Sequence, residues 1–292
     1  MKPKHKLEPW LFLLPALLVY VFVVMVPVVW SLVYSFFNWK GIGAMKFAGL
    51  DNYVRMFSDR KMLTAIQNNL LYMVLGTCVQ VFMGLLMATL LSNITRGSNI
   101  LRVLYFIPCI ISSMAICKIF EKLLSVQPEG LIAAIVSALG GKPKALLSSP
   151  DLALIMVTLV DAYKFCGLYM VIFYSAFMNI DHEVIEAAYI DGCTWWQQYV
   201  HIRLPMIKPI FFTVVVILVN GTLKSFDVSY ILTNGGPGTA SELVATYMYK
   251  VSFNQTNFGY GSAISMFLLL ESLVAVGIVR LIGSRSEKRA AQ

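Results

Sequence analysis

A chain of 292 residues that is 58% hydrophobic and 13% charged, with a mean hydropathy of +0.74, is too apolar for a soluble domain of its size. Its net charge of +8 comes from scattered Lys and Arg with no accompanying motif, which speaks against nucleic-acid binding and fits basic flanks around membrane spans. Cys78, Cys109, Cys117, Cys166 and Cys193 form no CxxC and no metal-ligand spacing, so they read as small buried hydrophobes.

Crossing a bilayer takes about 20 apolar residues as a helix. Six runs qualify, at approximately 11–37, 69–91, 100–124, 152–178, 210–232 and 262–282. The first follows Lys2, Lys4 and Lys6, but it is too long for a signal-peptide core of about 7 to 15 residues and no A-x-A site follows, so it reads as retained. The expectation is one all-α polytopic membrane domain over 1–292. Six spans put both termini on one side, and the basic residues at the start, with Arg280, Arg285, Lys288 and Arg289 at the end, make that side the cytoplasm. Lys40, Lys46, Arg55, Arg60 and Lys61 then face outward in the first loop, against the rule.

The same topology places the loop at about 179–208 in the cytoplasm. Asp181 is placed to cap a short helix, Glu183 and Glu186 suit the positive end of its dipole, and Gly192 supplies a stop. Thr194 and Gln197 have the spacing of a capping box, so a second short helix is expected toward His201 and Arg203, ending before Pro205. Ala187 and Ala188 leave the first helix thin on one side. Two readings fit: a docking element for another protein, or an amphipathic connector with Trp195 and Trp196 at the membrane interface.

Polar groups inside spans are costly unless they face a cavity or a partner. The fourth run carries Asp161, Tyr163, Lys164, Gly167 and Tyr169, and the fifth carries Asn220, Thr222, Lys224, Ser225 and Asp227. Asn220, Lys224 and Asp227, spaced i, i+4 and i+7, are expected on one helical face. These groups either line a path for a hydroxyl-rich solute or form intrahelical pairs, Asp161 with Lys164 and Lys224 with Asp227. Glu271 fits a helix contact or the path, and Lys118 and Gln80 read as helix-helix or interfacial groups. No catalytic residue or metal site is expected: there is no HExxH or GxSxG, and Gly141-Lys142 is followed by Pro143 where a phosphate loop needs Ser or Thr.

Glu186-Ala187-Ala188, Asp191-Gly192 and Leu204-Pro205 resemble the EAA loop of permease subunits in binding-protein-dependent ABC importers. Gly49 to Tyr53, Asn68-Asn69, Leu232 to Pro237 and Gly259 to Ala263 extend the resemblance, over essentially the whole chain, to carbohydrate-importer permeases of the MalF, UgpA and LacF type. Cys193 and His182 depart from the pattern, standing where Ala and a nearby Pro are usual. The resemblance implies a type I importer permease fold with a second homologous permease subunit and an extracytoplasmic solute-binding protein. It also implies two ATPase subunits that hold the ATP and Mg, leaving this chain without a cofactor of its own. Glu186, Ala187, Ala188, Asp191, Gly192 and Pro205 would couple to the ATPase. The fourth and fifth spans would contribute sugar contacts. A permease of the same architecture for a solute such as glycerol phosphate, or a secondary transporter, is the alternative.

Overall fold

The computed structural model describes residues 8–94 and 96–290, so Lys2, Lys4 and Lys6 lie outside the described residues. Contacts divide the chain into two compact units. One ends at Leu63 and resumes over Met248–Leu269; the other covers Thr64–Tyr247 and resumes at Leu270.

In the first unit α1 (Glu8–Tyr20) runs through a π-helical turn, Val21–Met25, into α2 (Val26–Ser35). The wide turn has a local cause. A proline ring clashes with the carbonyl four residues back, here Val23, and the looser winding ahead of Pro27 gives it room. The stretch Phe12–Ser35 is long and apolar enough to cross a membrane. Strands β1 (Phe37–Asn38) and β2 (Lys46–Phe47) then pair antiparallel, with Phe37 opposite Phe47. Helix α3 (Asp51–Ser58) is tied back to the end of α2 by Asn52, whose Nδ2 donates to the carbonyls of Ser35 at 2.8 Å and Phe37 at 3.0 Å. Those acceptors are left open where a helix ends, so Asn52 closes the turn. Near the start of the last helix, the Tyr260 hydroxyl donates to Asp59 Oδ2 at 3.0 Å and the Arg55 guanidinium lies 4.3 Å from the Tyr260 ring centre.

Helix α4 (Arg60–Ser92) starts well before the apolar run expected at 69–91, because Arg60, Lys61, Gln67, Asn68 and Asn69 hide its first turns from a hydropathy reading. The expected span 100–124 is two helices, α5 (Ser98–Ile110) and α6 (Ser113–Leu124), bent by 95°. Pro108 removes an N–H near the end of α5, and Ile111 and Ser112 are extended. After α7 (Leu131–Ala138), α8 (Ala153–Met178) is an unbroken span matching 152–178. The loop then forms α9 (His182–Ile190), α10 (Trp195–Gln198), a π turn at Tyr199–Arg203 and α11 (Leu204–Met206). Pro205 sits inside this continuous run rather than after it. The widened turn tolerates its ring, and the chain bends by 65° only at Ile207.

Helix α12 (Lys208–Leu223) stops short of the expected 210–232, and α13 (Asp227–Leu232) follows a break at Lys224 to Phe226. Helix α14 (Val244–Tyr249) and a further π turn, Lys250–Asn254, lead to α15 (Phe258–Ala290). Among the described residues, four helices are long and apolar enough to cross a membrane, and six if each bent pair counts as one span. Ala88 and Leu91 of α4, Met170, Phe173 and Phe177 of α8, and Val214 and Leu218 of α12 share one buried apolar core in the second unit. That core lies between the loop and the polar groups of the spans.

Candidate functional site

The polar loop is built from local signals. Asp181 stands at the cap position of α9 but makes no capping hydrogen bond through its side chain, leaving Glu183 as the acid of the first turn. At the other end, Gly192 has φ +77°. Its N–H donates to the Tyr189 carbonyl at 3.1 Å, and the Cys193 N–H donates to that of Ala188 at 3.0 Å. This is the paired closure of a left-handed helix stop. Two residues on, the Thr194 N–H donates to Gln197 Oε1 at 2.8 Å and the Gln197 N–H to Thr194 Oγ1 at 3.4 Å, so the capping box starts α10.

The second helix is fastened to the end of α4. Trp195 Nε1 donates to Asn93 Oδ1 at 3.1 Å, Thr89 Oγ1 donates to the Tyr199 hydroxyl at 2.9 Å, and the Trp195 and Tyr199 rings stack with centroids 5.5 Å apart. Helix α9 is not covered in the same way. Glu186, Ala187, Tyr189, Ile190 and Asp191 are exposed, and Tyr189 and Ile190 are large apolar groups. Ala188 is buried within the chain itself. Of the two alanines, therefore, only Ala187 thins the outward face, while Ala188 lets α9 seat closely on its own protein.

The polar groups of the spans converge on a cavity of about 300 Å³ in the second unit. Tyr169, Thr222, Lys224, Ser225 and Asp227 line it, together with Asp161, Gln80, Ser113, Phe165 and Phe226. Gln80 Nε2 donates to Asp161 Oδ2 at 3.2 Å, both groups being buried. Lys164 lies just behind the wall: its Nζ donates to Ser113 Oγ, which donates to Asp227 Oδ2 at 3.3 Å. A chain of contacts thus joins α8, the start of α6 and the start of α13. Neither Asp161 with Lys164 nor Lys224 with Asp227 forms an ion pair. Lys118 instead pairs with Glu121 at 2.6 Å on the surface.

Besides Lys164, three expected path residues lie off the cavity wall. Tyr163 is half exposed and meets the Phe120 ring edge-on at 5.2 Å, and Asn220 is half-buried on α12 away from the cavity wall. Gly167 is where α5 crosses α8. A Cβ there would fall on the Tyr105 carbonyl oxygen and 3.1 Å from Phe106 Cα, so bare backbone is what allows the helices to touch. The expected single face of Asn220, Lys224 and Asp227 does not form, because the helix ends at Leu223. The break is what turns Lys224, Ser225, Phe226 and Asp227 into the cavity wall.

That elbow is held by α4. Asn69, fully buried, donates to the Leu223 carbonyl at 3.2 Å and to Glu271 Oε2 at 3.4 Å, and the Tyr72 hydroxyl and Ser225 Oγ share a hydrogen bond of 3.1 Å. Glu271 is therefore a helix contact. Ser113 and Phe226 were not legible as wall residues, although Ser113 beside the Pro108 break and Phe226 between two charges are signals that mark such positions.

A family model described as "Binding-protein-dependent transport system inner membrane component" matches residues 80–288. The probable ABC transporter permease protein YurN of Bacillus subtilis (strain 168) is 35% identical over 276 residues, covering 92% of this chain and 94% of the relative. The lactose transport system permease protein LacF of Rhizobium radiobacter is 29% identical over 282 residues, covering 94% of this chain and 93% of that one. A crystal structure of a bacterial ABC transporter involved in import of the acidic polysaccharide alginate matches with a TM-score of 0.84 at 22% identity, over 94% of each chain. That likeness shows the fold. The family match and the YurN identity go further: this chain belongs to the family of inner membrane components of binding-protein-dependent transport systems.

Proposed function

We propose that this chain is the membrane-spanning subunit of an importer that passes a sugar or oligosaccharide across the cytoplasmic membrane by alternating access. A second, similar permease subunit forms the other half of the path. Two ATPase subunits bind ATP and Mg and dock on α9 through Glu186, Ala187, Asp191 and the neighbouring Tyr189 and Ile190. An extracytoplasmic binding protein delivers the solute, and both termini lie in the cytoplasm with the α9–α11 loop.

The observation that carries this reading is the mechanical continuity of the loop. Helix α9 presents an uncovered face, Gly192 sets its angle to α10, and α10 with the π turn after it is bonded to the C-terminal end of α4, through Trp195 with Asn93 just past that helix and Tyr199 with Thr89. Further along, α4 carries Gln80 into the cavity wall. Displacing α9 and α10 together therefore pulls on a helix that borders the cavity. ATP shifts the equilibrium because the ATPase grips the loop differently in the two states; a ligand indifferent to conformation shifts nothing.

The lining suits a sugar. Phe165, Tyr169 and Phe226 offer apolar ring faces, while Gln80, Thr222, Ser225, Lys224 and Asp227 offer hydrogen-bonding groups for hydroxyls. The lactose-transport relative supports the same class.

A thermal-shift screen of oligosaccharides on the partner binding protein supplies the ligand for a kinetic test. In vesicles holding the assembled transporter, Asp227→Ala is expected to raise the half-saturating concentration about tenfold, as loss of a charge-assisted hydrogen bond does. ATP consumed per uptake event should stay near wild type. Unchanged uptake kinetics in this variant would contradict the cavity as the path.

A further inference from the structure

The first connector holds five cations, Lys40, Lys46, Arg55, Arg60 and Lys61, against two carboxylates, Asp51 and Asp59. Such an excess is unexpected on the side of the membrane opposite the termini. Its geometry gives it a purpose. Helix α3 has one face bound to the protein: Asn52 and Met56 are buried, and the Tyr53 hydroxyl meets Ser35 Oγ at 2.7 Å. The opposite face carries Val54 and Phe57, continued by Leu50 at the cap position, spaced i, i+4 and i+7 and 63% (Leu50), 65% (Val54) and 60% (Phe57) exposed, although the Phe57 ring also meets Phe267 edge-on at 6.2 Å. In the same connector Ile42 and Phe47 are exposed as well.

We propose that α3 lies along the membrane surface with the Leu50, Val54 and Phe57 face in the acyl boundary, its flanking cations holding the headgroups of anionic phospholipids. Three observations choose lipid as the occupant. Asn52 bonds α3 to the last turn of α2 and to Phe37, so the helix is fixed at the end of the Phe12–Ser35 span, where the bilayer meets water. The apolar window of that span has no buried residue in this chain, so the α3 face continues a surface already suited to the bilayer. Lys46 and Lys61, in the same connector as the apolar face, are exposed. An apolar face flanked by Lys and Arg is the signature of a helix lying in the interface, where long cationic side chains reach anionic headgroups.

The test uses the full chain in its assembled transporter, placed in nanodiscs of phosphatidylcholine with increasing phosphatidylglycerol. A fluorophore is attached at Val54→Cys in a Cys78→Ser background, with Leu50→Cys as a second site should the first fail to assemble. Quenching by brominated acyl chains is expected to exceed quenching by aqueous iodide at least fivefold. It should also rise with the phosphatidylglycerol fraction, and this rise should be lost in the Lys46→Gln, Lys61→Gln double variant. Dominant iodide quenching overturns the proposal. So does protection from both quenchers, which would mean that another protein covers α3, and so does lipid quenching indifferent to phosphatidylglycerol.

Discussion

Replacing Gly192 by Val should leave the protein in the membrane and abolish transport. The left-handed conformation at φ +77° costs an ordinary L-residue about 1–2 kcal/mol, and a β-branched one tolerates it worst. No atom lies within 4 Å of the position a Cβ would take, so the loss comes from the backbone and not from a clash. Relief requires the chain to leave that conformation, which breaks the Gly192 to Tyr189 and Cys193 to Ala188 hydrogen bonds and frees the angle between α9 and α10. Co-purification of the ATPase with the permease should fall about tenfold, corresponding to about 1.4 kcal/mol. Ligand-stimulated ATP hydrolysis should fall to its unstimulated level. Gly192→Asn should keep most of both, because Asn adopts this conformation more readily. Equal behaviour of the Val variant and the wild type would show that the angle at Gly192 transmits nothing.

Gly167→Leu should act on folding instead of on the solute. Helix α5 has backbone atoms against α8 at this point, so any side chain drives the two apart. Overpacking typically costs about 1–3 kcal/mol, and the upper end is expected where the obstacle is backbone, which has no rotamer to change. The displaced α5 would also carry α6 and Ser113 away from Lys164 and Asp227. Lower yield in the membrane and a lower unfolding temperature in detergent should follow, with Gly167→Ala showing the same signs at smaller size. A variant of normal stability but altered half-saturation would make Gly167 a path residue after all.

What sequence reading recovers here depends on the range of the interactions. The α9–α10 loop is legible because its caps are local: Gly192, Thr194 and Gln197 act within a few residues of themselves. The span at 152–178 was legible because nothing interrupts its apolar run. The breaks at Ile111–Ser112 and Lys224–Phe226 were not, since a hydropathy window averages over them. Membership of the cavity is less local still. It depends on where α4, α8 and the α12–α13 elbow meet, which no spacing within one segment encodes.

The motifs behind the resemblance to sugar permeases tell a similar story. Asn52 and Tyr53 hold the end of α2, and Asn68 Nδ2 donates to the carbonyls of Thr239 at 2.9 Å and Glu242 at 3.0 Å. Ser241 Oγ ties the Thr233–Pro237 segment by donating to the Gly236 carbonyl at 2.6 Å. These groups brace connectors, and none of them lines the cavity. These motifs of the resemblance therefore lie on residues that shape the scaffold, whereas Tyr169, Phe226 and Asp227 line the cavity proposed as the path.

The most direct test of coupling through the α9–α10 loop is uptake into sealed vesicles containing the chain, its partner permease and the ATPase subunits, with the binding protein and labelled sugar outside. Accumulation should require ATP in the vesicle lumen and persist when ion gradients are collapsed. Accumulation that continues without ATP, or that ends when the ion gradients alone are removed, would contradict it.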